Sequence, residues 1–172
     1  MRIKIFVLLC LTAIMQFTGV TPLKASHYYY KQLSLKDGVT SAVRCILTDK
    51  QGFVWIGTKA GISRYDGHEL KKYVHSPNNP HSIPNNLIHQ IAEDEMSNIW
   101  ILTDKGIARY QRQSDDFFLP TDEKGNPIIA YSTCLTKDGV LFGSKDKVYF
   151  YSYRDSSLRL LQKLNKGSNF NI

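Results

Sequence analysis

No stretch of this 172-residue sequence stays apolar for the roughly 20 residues that a membrane-crossing helix needs. The longest apolar run is the thirteen residues from Ile5 to Phe17, which is too short to span. Cysteine is scarce: Cys10 lies in that run, leaving Cys45 and Cys134 for the rest of the chain. Aligning Leu47-Thr48 with Leu135-Thr136 matches Cys134 to Ile46, one position away from Cys45, so the two thiols point to opposite strand faces. That register argues against a disulfide and predicts two buried small hydrophobes. Gly-x-Ser-x-Gly, a Walker loop, Gly-x-Gly-x-x-Gly and Cys-x-x-Cys are all missing. Asp49-Lys-Gln-Gly52 is too short for a calcium loop, whose oxygen ligands are spread over about twelve residues. His75, His81 and His89 lack the cysteine or acidic partners at short fixed spacing that a zinc site requires. No metal and no cofactor are therefore expected.

Acidic residues are outnumbered, but only modestly. Removing Arg2, Lys4 and Lys24 with the leader takes the 22 basic residues down to 19 against 15 acidic ones, and the formal charge from +7 to +4. The remaining Lys and Arg are scattered through predicted turns and edges, which does not make a nucleic-acid face. The leader itself, a basic start, an apolar middle and the small residue Ala25, reads as a secretory signal peptide over residues 1–25. Cys10 follows Leu9, which is not a lipoprotein signal. Export to the periplasm is the expectation.

What the sequence has is a repeat. Asp49 to Gly67 returns at an offset of 45 as Asp94 to Tyr110, and from Ile46 to Tyr65 nine of twenty positions are identical. Average residue usage would give about one or two. The shared positions include Asp49/Asp94, Trp55/Trp100, Thr58/Thr103, Gly61/Gly106, Arg64/Arg109 and Tyr65/Tyr110. A period near 45 with a recurrent Trp is the signature of stacked β-units that cannot bury their faces alone. Inside one copy, Val43 to Leu47 ends at a turn built on Asp49 and Gly52, and Phe53 to Thr58 is aromatic and β-branched, as a half-buried strand is. Gly57 sits inside that strand. Gly61 turns it into Ile62 to Tyr65, and Asp66-Gly67 launches an alternating, charged outer strand from Glu69 to Val74.

The pattern Asp-x-x-Gly-x-x-Trp-Ile-Gly-Thr-x-x-Gly-Ile-x-Arg-Tyr-Asp-Gly resembles the two-component regulator propeller repeat. The second copy departs from it at Ser97 for Gly52, Leu102 for Gly57 and Gln111 for Asp66. A third copy, Thr136 to Tyr151, keeps Gly139 and Gly143 but has Leu141 at the Trp position and a shorter turn. The resemblance implies an all-β fold: a partial β-propeller over 26–172, of about three four-stranded antiparallel blades near 43–74, 88–119 and 131–163, preceded by a strand around Tyr28 to Leu33. It implies that this leading strand completes the last blade of a closed ring. Since closed propellers carry roughly 4 to 8 blades, three copies predict an open piece, and Asn165 to Ile172 reads as a loop without a closing strand.

By resemblance, the function is that of the periplasmic sensor region of a hybrid two-component histidine kinase and response regulator, detecting an oligosaccharide and controlling glycan-utilisation genes. Its partners would be that oligosaccharide and the remainder of the propeller or a second sensor chain, with no nucleic acid and no membrane-spanning segment here. The rivals are a protein-interaction scaffold and a propeller glycan hydrolase or lyase. Asp49 and Asp94 read more simply as hairpin turn residues than as a glycosidase pair, whose carboxylates lie about 5 to 9.5 Å apart. No catalytic residue is assigned. Trp55 and Trp100 read as packing knobs between sheets rather than sugar platforms, and Arg64 and Arg109 as groups lying over a neighbouring aromatic, bonding a carbonyl or clamping a carboxylate.

Overall fold

The structure, a computed structural model, describes residues 42–163. The leader, the leading strand around Tyr28 to Leu33 and the terminal stretch from Asn165 lie outside the described residues. Among those described there are twelve strands and no helix, so no helix is long and apolar enough to cross a membrane. The strands form three four-stranded sheets. The first holds β1 (Val43–Thr48), β2 (Val54–Thr58), β3 (Gly61–Tyr65) and β4 (Leu70–Tyr73). The second holds β5 (Ile88–Glu93), β6 (Ile99–Thr103), β7 (Gly106–Gln111) and β8 (Asp116–Phe118). The third holds β9 (Ser132–Thr136), β10 (Gly139–Gly143), β11 (Lys147–Ser152) and β12 (Leu158–Lys163). In each sheet the strands lie in sequence order and every neighbour is antiparallel. This is an all-β, propeller-like succession of open sheets.

The turns follow from local chemistry. Asp49 Oδ1 accepts from the backbone N–H of Gln51 and Phe53 at 3.0 and 2.9 Å, and Gly52 takes φ +89°. In the second copy Asp94 Oδ1 accepts from Asn98 N–H at 2.8 Å, and Ser97 is forced to φ +61° where glycine would sit without strain. The Thr58 and Thr103 hydroxyls close the next hairpins by donating to the carbonyls of Gly61 and Gly106 at 2.9 and 2.7 Å. Asp66 N–H donates to Glu69 O at 3.2 Å around Gly67 and His68. Tyr65 pairs with Leu70, and Asp66 Oδ1 caps a four-residue loop by accepting from His68 and Glu69 N–H.

The second sheet is covered on both faces. One face joins Trp55, Ile62 and Tyr73 of the first sheet in a core with Ile88, Ile91, Ile99, Ile101, Tyr110 and Phe117. The other presents Trp100, Leu102 and Ile107 to Val140, Phe142, Tyr149 and Tyr151 of the third sheet. Alternation along β6 explains the division, since Ile99 and Ile101 face one way and Trp100 and Leu102 the other, and all five β6 residues are buried. Burying both faces of one sheet is what a stacked β-unit does. Gly57 marks the closest approach of the first two sheets: a Cβ there would meet Cys45 Sγ at 2.5 Å and Ile88 Cγ2 at 2.7 Å. Both cysteines are free. Cys45 packs half-buried against this core, whereas Cys134 is exposed on β9, because its strand face has no neighbouring sheet among the described residues. The prediction that both are buried is thus corrected for Cys134.

Two connections complete the cores. The loop between β4 and β5 buries Ile83, and it is held by Ser82 hydrogen bonds and by Gly61 N–H donating to Asn86 O at 2.8 Å. His75 spends its Nδ1 on Ile83 O at 2.8 Å, and His89 pairs with Asp104. Among the described residues no group of His, Cys, Asp or Glu could hold a metal ion. The loop between β8 and β9 contributes Ile128 and Ala130 to the second core.

Candidate functional site

The repeated residues converge where one sheet meets the next. Trp55 Nε1–H donates to Asp49 Oδ2 at 3.0 Å, and Trp100 Nε1–H to Asp94 Oδ2 at 2.8 Å. A hairpin carboxylate therefore caps its turn with one oxygen and fixes the indole with the other. Each fully buried indole then meets the edge of a tyrosine on the following sheet, Trp55 with Tyr110 and Trp100 with Tyr151, both with centroids 4.8 Å apart. Such edge-to-face pairs add about 0.5–1.5 kcal/mol beyond burial. The arginine opposite each Trp finishes the contact. Arg64 donates to the Tyr110 hydroxyl, and Arg109 donates to the Tyr151 hydroxyl at 2.5 Å.

The two rims then diverge. At the first rim, Asp115 gathers the polar groups: its Oδ1 accepts from Tyr73 and Tyr110 hydroxyls at 2.6 and 2.5 Å and lies 3.4 Å from Arg64 Nη1, while Lys71 Nζ bonds its Oδ2. Burial alone would raise the Asp115 carboxyl. The bonds from Lys71, Tyr110 and Tyr73 override it and hold the group at about 2. Burial, then the bond to Asp115, pushes the Tyr73 hydroxyl far above its usual range, so it remains a donor. On the same rim Arg112 donates to Asp49 Oδ2 at 3.0 Å and to Gln51 Oε1 at 2.9 Å, and lies 3.8 Å from Glu93 Oε1. Burial opposes ionisation of Asp49, but the Trp55 and Arg112 bonds outweigh it and keep the carboxyl below the usual range.

At the second rim the corresponding places are filled differently. The β7–β8 and β11–β12 hairpins have equal lengths between the pairs Tyr110/Phe117 and Tyr151/Leu158, so Ser156 stands where Asp115 stands and Tyr153 where Arg112 stands. The backbone agrees, with φ +56° at Asp115 and +52° at Ser156. Opposite Arg109 lies Phe118, where Lys71 lies opposite Arg64. The guanidinium of Arg109 rests 5.2 Å from the Phe118 ring centroid and 5.7 Å from that of Tyr151. Among the described residues no carboxylate lies within 4 Å of it. Two adjoining clefts open here, of about 230 and 300 Å³, sharing Asn98 and Arg109. The first is completed by Met96, Tyr151, Tyr153 and Ser156, and the second by the β7–β8 hairpin. A third depression of about 290 Å³ lies between residues 122–126 and β12, lined by lysines and acids of both signs.

Of the repeat positions, the structure brings Asp49, Trp55 and Arg64 together at the first rim and Asp94, Trp100 and Arg109 at the second, each set with the next sheet's tyrosine. Thr58, Gly61, Asp66, Gly67, Thr103, Gly106, Gly139 and Gly143 lie in or beside hairpins. The sequence repeat does not point to Arg112, Asp115, Tyr153 or Ser156, because none of them recurs as the same residue.

Residues 37–60 match the model of the two component regulator propeller family. The chain is similar to histidine kinase P4 of Formosa agariphila, 37% identical over 59 residues, which is 34% of this chain and 4% of that protein. Its fold is that of the extracellular domain of a hybrid two component system of B. thetaiotaomicron, with TM-score 0.63 and 20% identity over 80% of this chain and 20% of that one. The extracellular domain of a one component system of the same organism superposes with TM-score 0.61 and 19% identity, covering 81% of this chain and 22% of that domain. The chain thus spans about a fifth of the length of these solved domains and a twenty-fifth of the curated relative.

Proposed function

We propose, from the premise that this chain carries two component regulator propeller repeats, that it is a segment of an exported sensor propeller whose whole protein is a hybrid two-component regulator. The single observation that carries the reading is the coincidence of that family match with a fold shared with extracellular domains of two-component systems. The ligand is an oligosaccharide, and the regulated genes serve its use. The leader over 1–25 delivers the propeller to the periplasm, where successive sheets present hairpin rims lined by arginine, tyrosine and asparagine. Those rims offer donors and aromatic edges, a combination that suits a sugar, and the chain's own part is recognition, not phosphoryl transfer.

The test is binding of a labelled oligosaccharide panel to the full-length protein, with product analysis of the same mixtures. Saturable binding of one glycan, recovered unchanged, is the expected result. Glycan cleavage would instead make the propeller an enzyme, and binding of no glycan would leave a scaffold for protein contacts.

A further inference from the structure

The difference between the two rims points to a ligand chemistry. We propose that the cleft between the second and third sheets binds a carboxylate-bearing ligand, with Arg109 as its cationic anchor. This rests on reading the propeller as a ligand sensor and names the group that its second rim recognises.

The first rim shows what such a site holds. There the Asp115 carboxylate sits among the Tyr110 hydroxyl, the Arg64 guanidinium and Lys71, all three being donors. The second rim repeats the Arg and Tyr: Arg109 takes the place of Arg64 and Tyr151 that of Tyr110, and their mutual hydrogen bond is kept. Only the acid is missing from the repeat, because Ser156 stands in the position of Asp115 with the same left-handed backbone. Asp94, the nearest acid of this rim, is spent on the Trp100 indole and the Asn98 amide, so a cation beside a hydroxyl donor, with no protein carboxylate within 4 Å of it among the described residues, is matched by a carboxylate arriving from outside. The cleft is open at this point, and Asn98, Ser156 and Tyr153 line it beside Arg109. Arg112, which lines the adjoining cleft, is already occupied by Asp49 and Gln51, whereas Arg109 is bonded to the neutral Tyr151 hydroxyl. The Phe118 and Tyr151 rings flanking it lower local polarity and strengthen a charge-assisted bond.

The probe is D-glucuronate, with D-glucose as its neutral counterpart, titrated into the full chain and followed by amide NMR shifts. Glucuronate is expected to move the Arg109, Tyr151 and Ser156 amides saturably, and glucose at the same concentration to leave them in place. Arg109→Gln should weaken glucuronate about tenfold or more, as loss of a charged hydrogen bond does. Ser156→Asp supplies the acid from within the chain. It should abolish glucuronate binding while raising the melting temperature, which keeps the test decisive if Arg109→Gln folds poorly. Lys59→Gln, an exposed lysine on the β2–β3 turn of the first sheet, controls for general charge and should bind as the parent does. Unchanged affinity in a folded Ser156→Asp, equal binding of glucose, or no saturable glucuronate binding would overturn the proposal. If a neutral glycan from the panel binds while glucuronate does not, the carboxylate site falls and the sensing role stands.

Discussion

At the residue scale Asp49 serves the turn, the core and the rim at once, since two backbone amides, the Trp55 indole and the Arg112 guanidinium all donate to it. Asp49→Asn keeps the shape but removes the charge facing Arg112 and turns one acceptor into a donor. It should cost about 1.5–3 kcal/mol, the range for hydrogen bonds to charged groups, read as a lower urea midpoint at unchanged slope. Asp115 gives a pH signature. Its folded value of about 2 lies below the unfolded value of about 3.9, so its stabilisation is complete above the unfolded value and is lost as pH falls through about 2. Melting temperature should therefore drop on acidification below about pH 4, and Asp115→Asn should flatten that drop. An unchanged acid limb in the variant would remove Asp115 from the account of acid sensitivity. The Asp and Trp of each copy were legible because they recur six residues apart. The polar half of each rim was not, since Arg112 and Tyr153 share only a hairpin position, and Asp115 and Ser156 a position and a left-handed backbone, but neither pair shares a side-chain chemistry that recurs.

Strands and turns carry the next scale. Period-two alternation and the Asp/Gly turns placed the four strands of the first sheet to within a residue. The alternation could not say which face of the second sheet met which neighbour, and that depends on packing of residues 45 apart. Trp55 is fully buried between the first and second sheets, so Trp55→Ala should destabilise by about 3–5 kcal/mol, as large aromatic deletions do. A variant that melts like the parent would mean the indole is dispensable to the core. Gly57→Val drives a side chain into Cys45 and Ile88 and should cost about 1–3 kcal/mol through overpacking. The same strand position in the second copy is Leu102, which instead fills the core against the third sheet, so the cost is set by the partner sheet and not by the strand.

At the largest scale, the three described sheets carry exposed apolar residues at both ends of the stack. Ile46 of the first is 64% exposed and Leu161 of the third 59% exposed. The solved domains of this fold are about five times as long as the region aligned here, so the proposed sensing role is tested on the full-length protein. The most direct measurement is autophosphorylation of the full-length protein in membrane vesicles, with each glycan of the panel presented on the periplasmic side. The result predicted is that the glycan which binds the propeller changes the phosphorylation rate, and that Trp100→Ala, by loosening the second rim, weakens binding and that change together. A glycan that binds with full affinity and leaves phosphorylation untouched in the parent protein would contradict a sensory role.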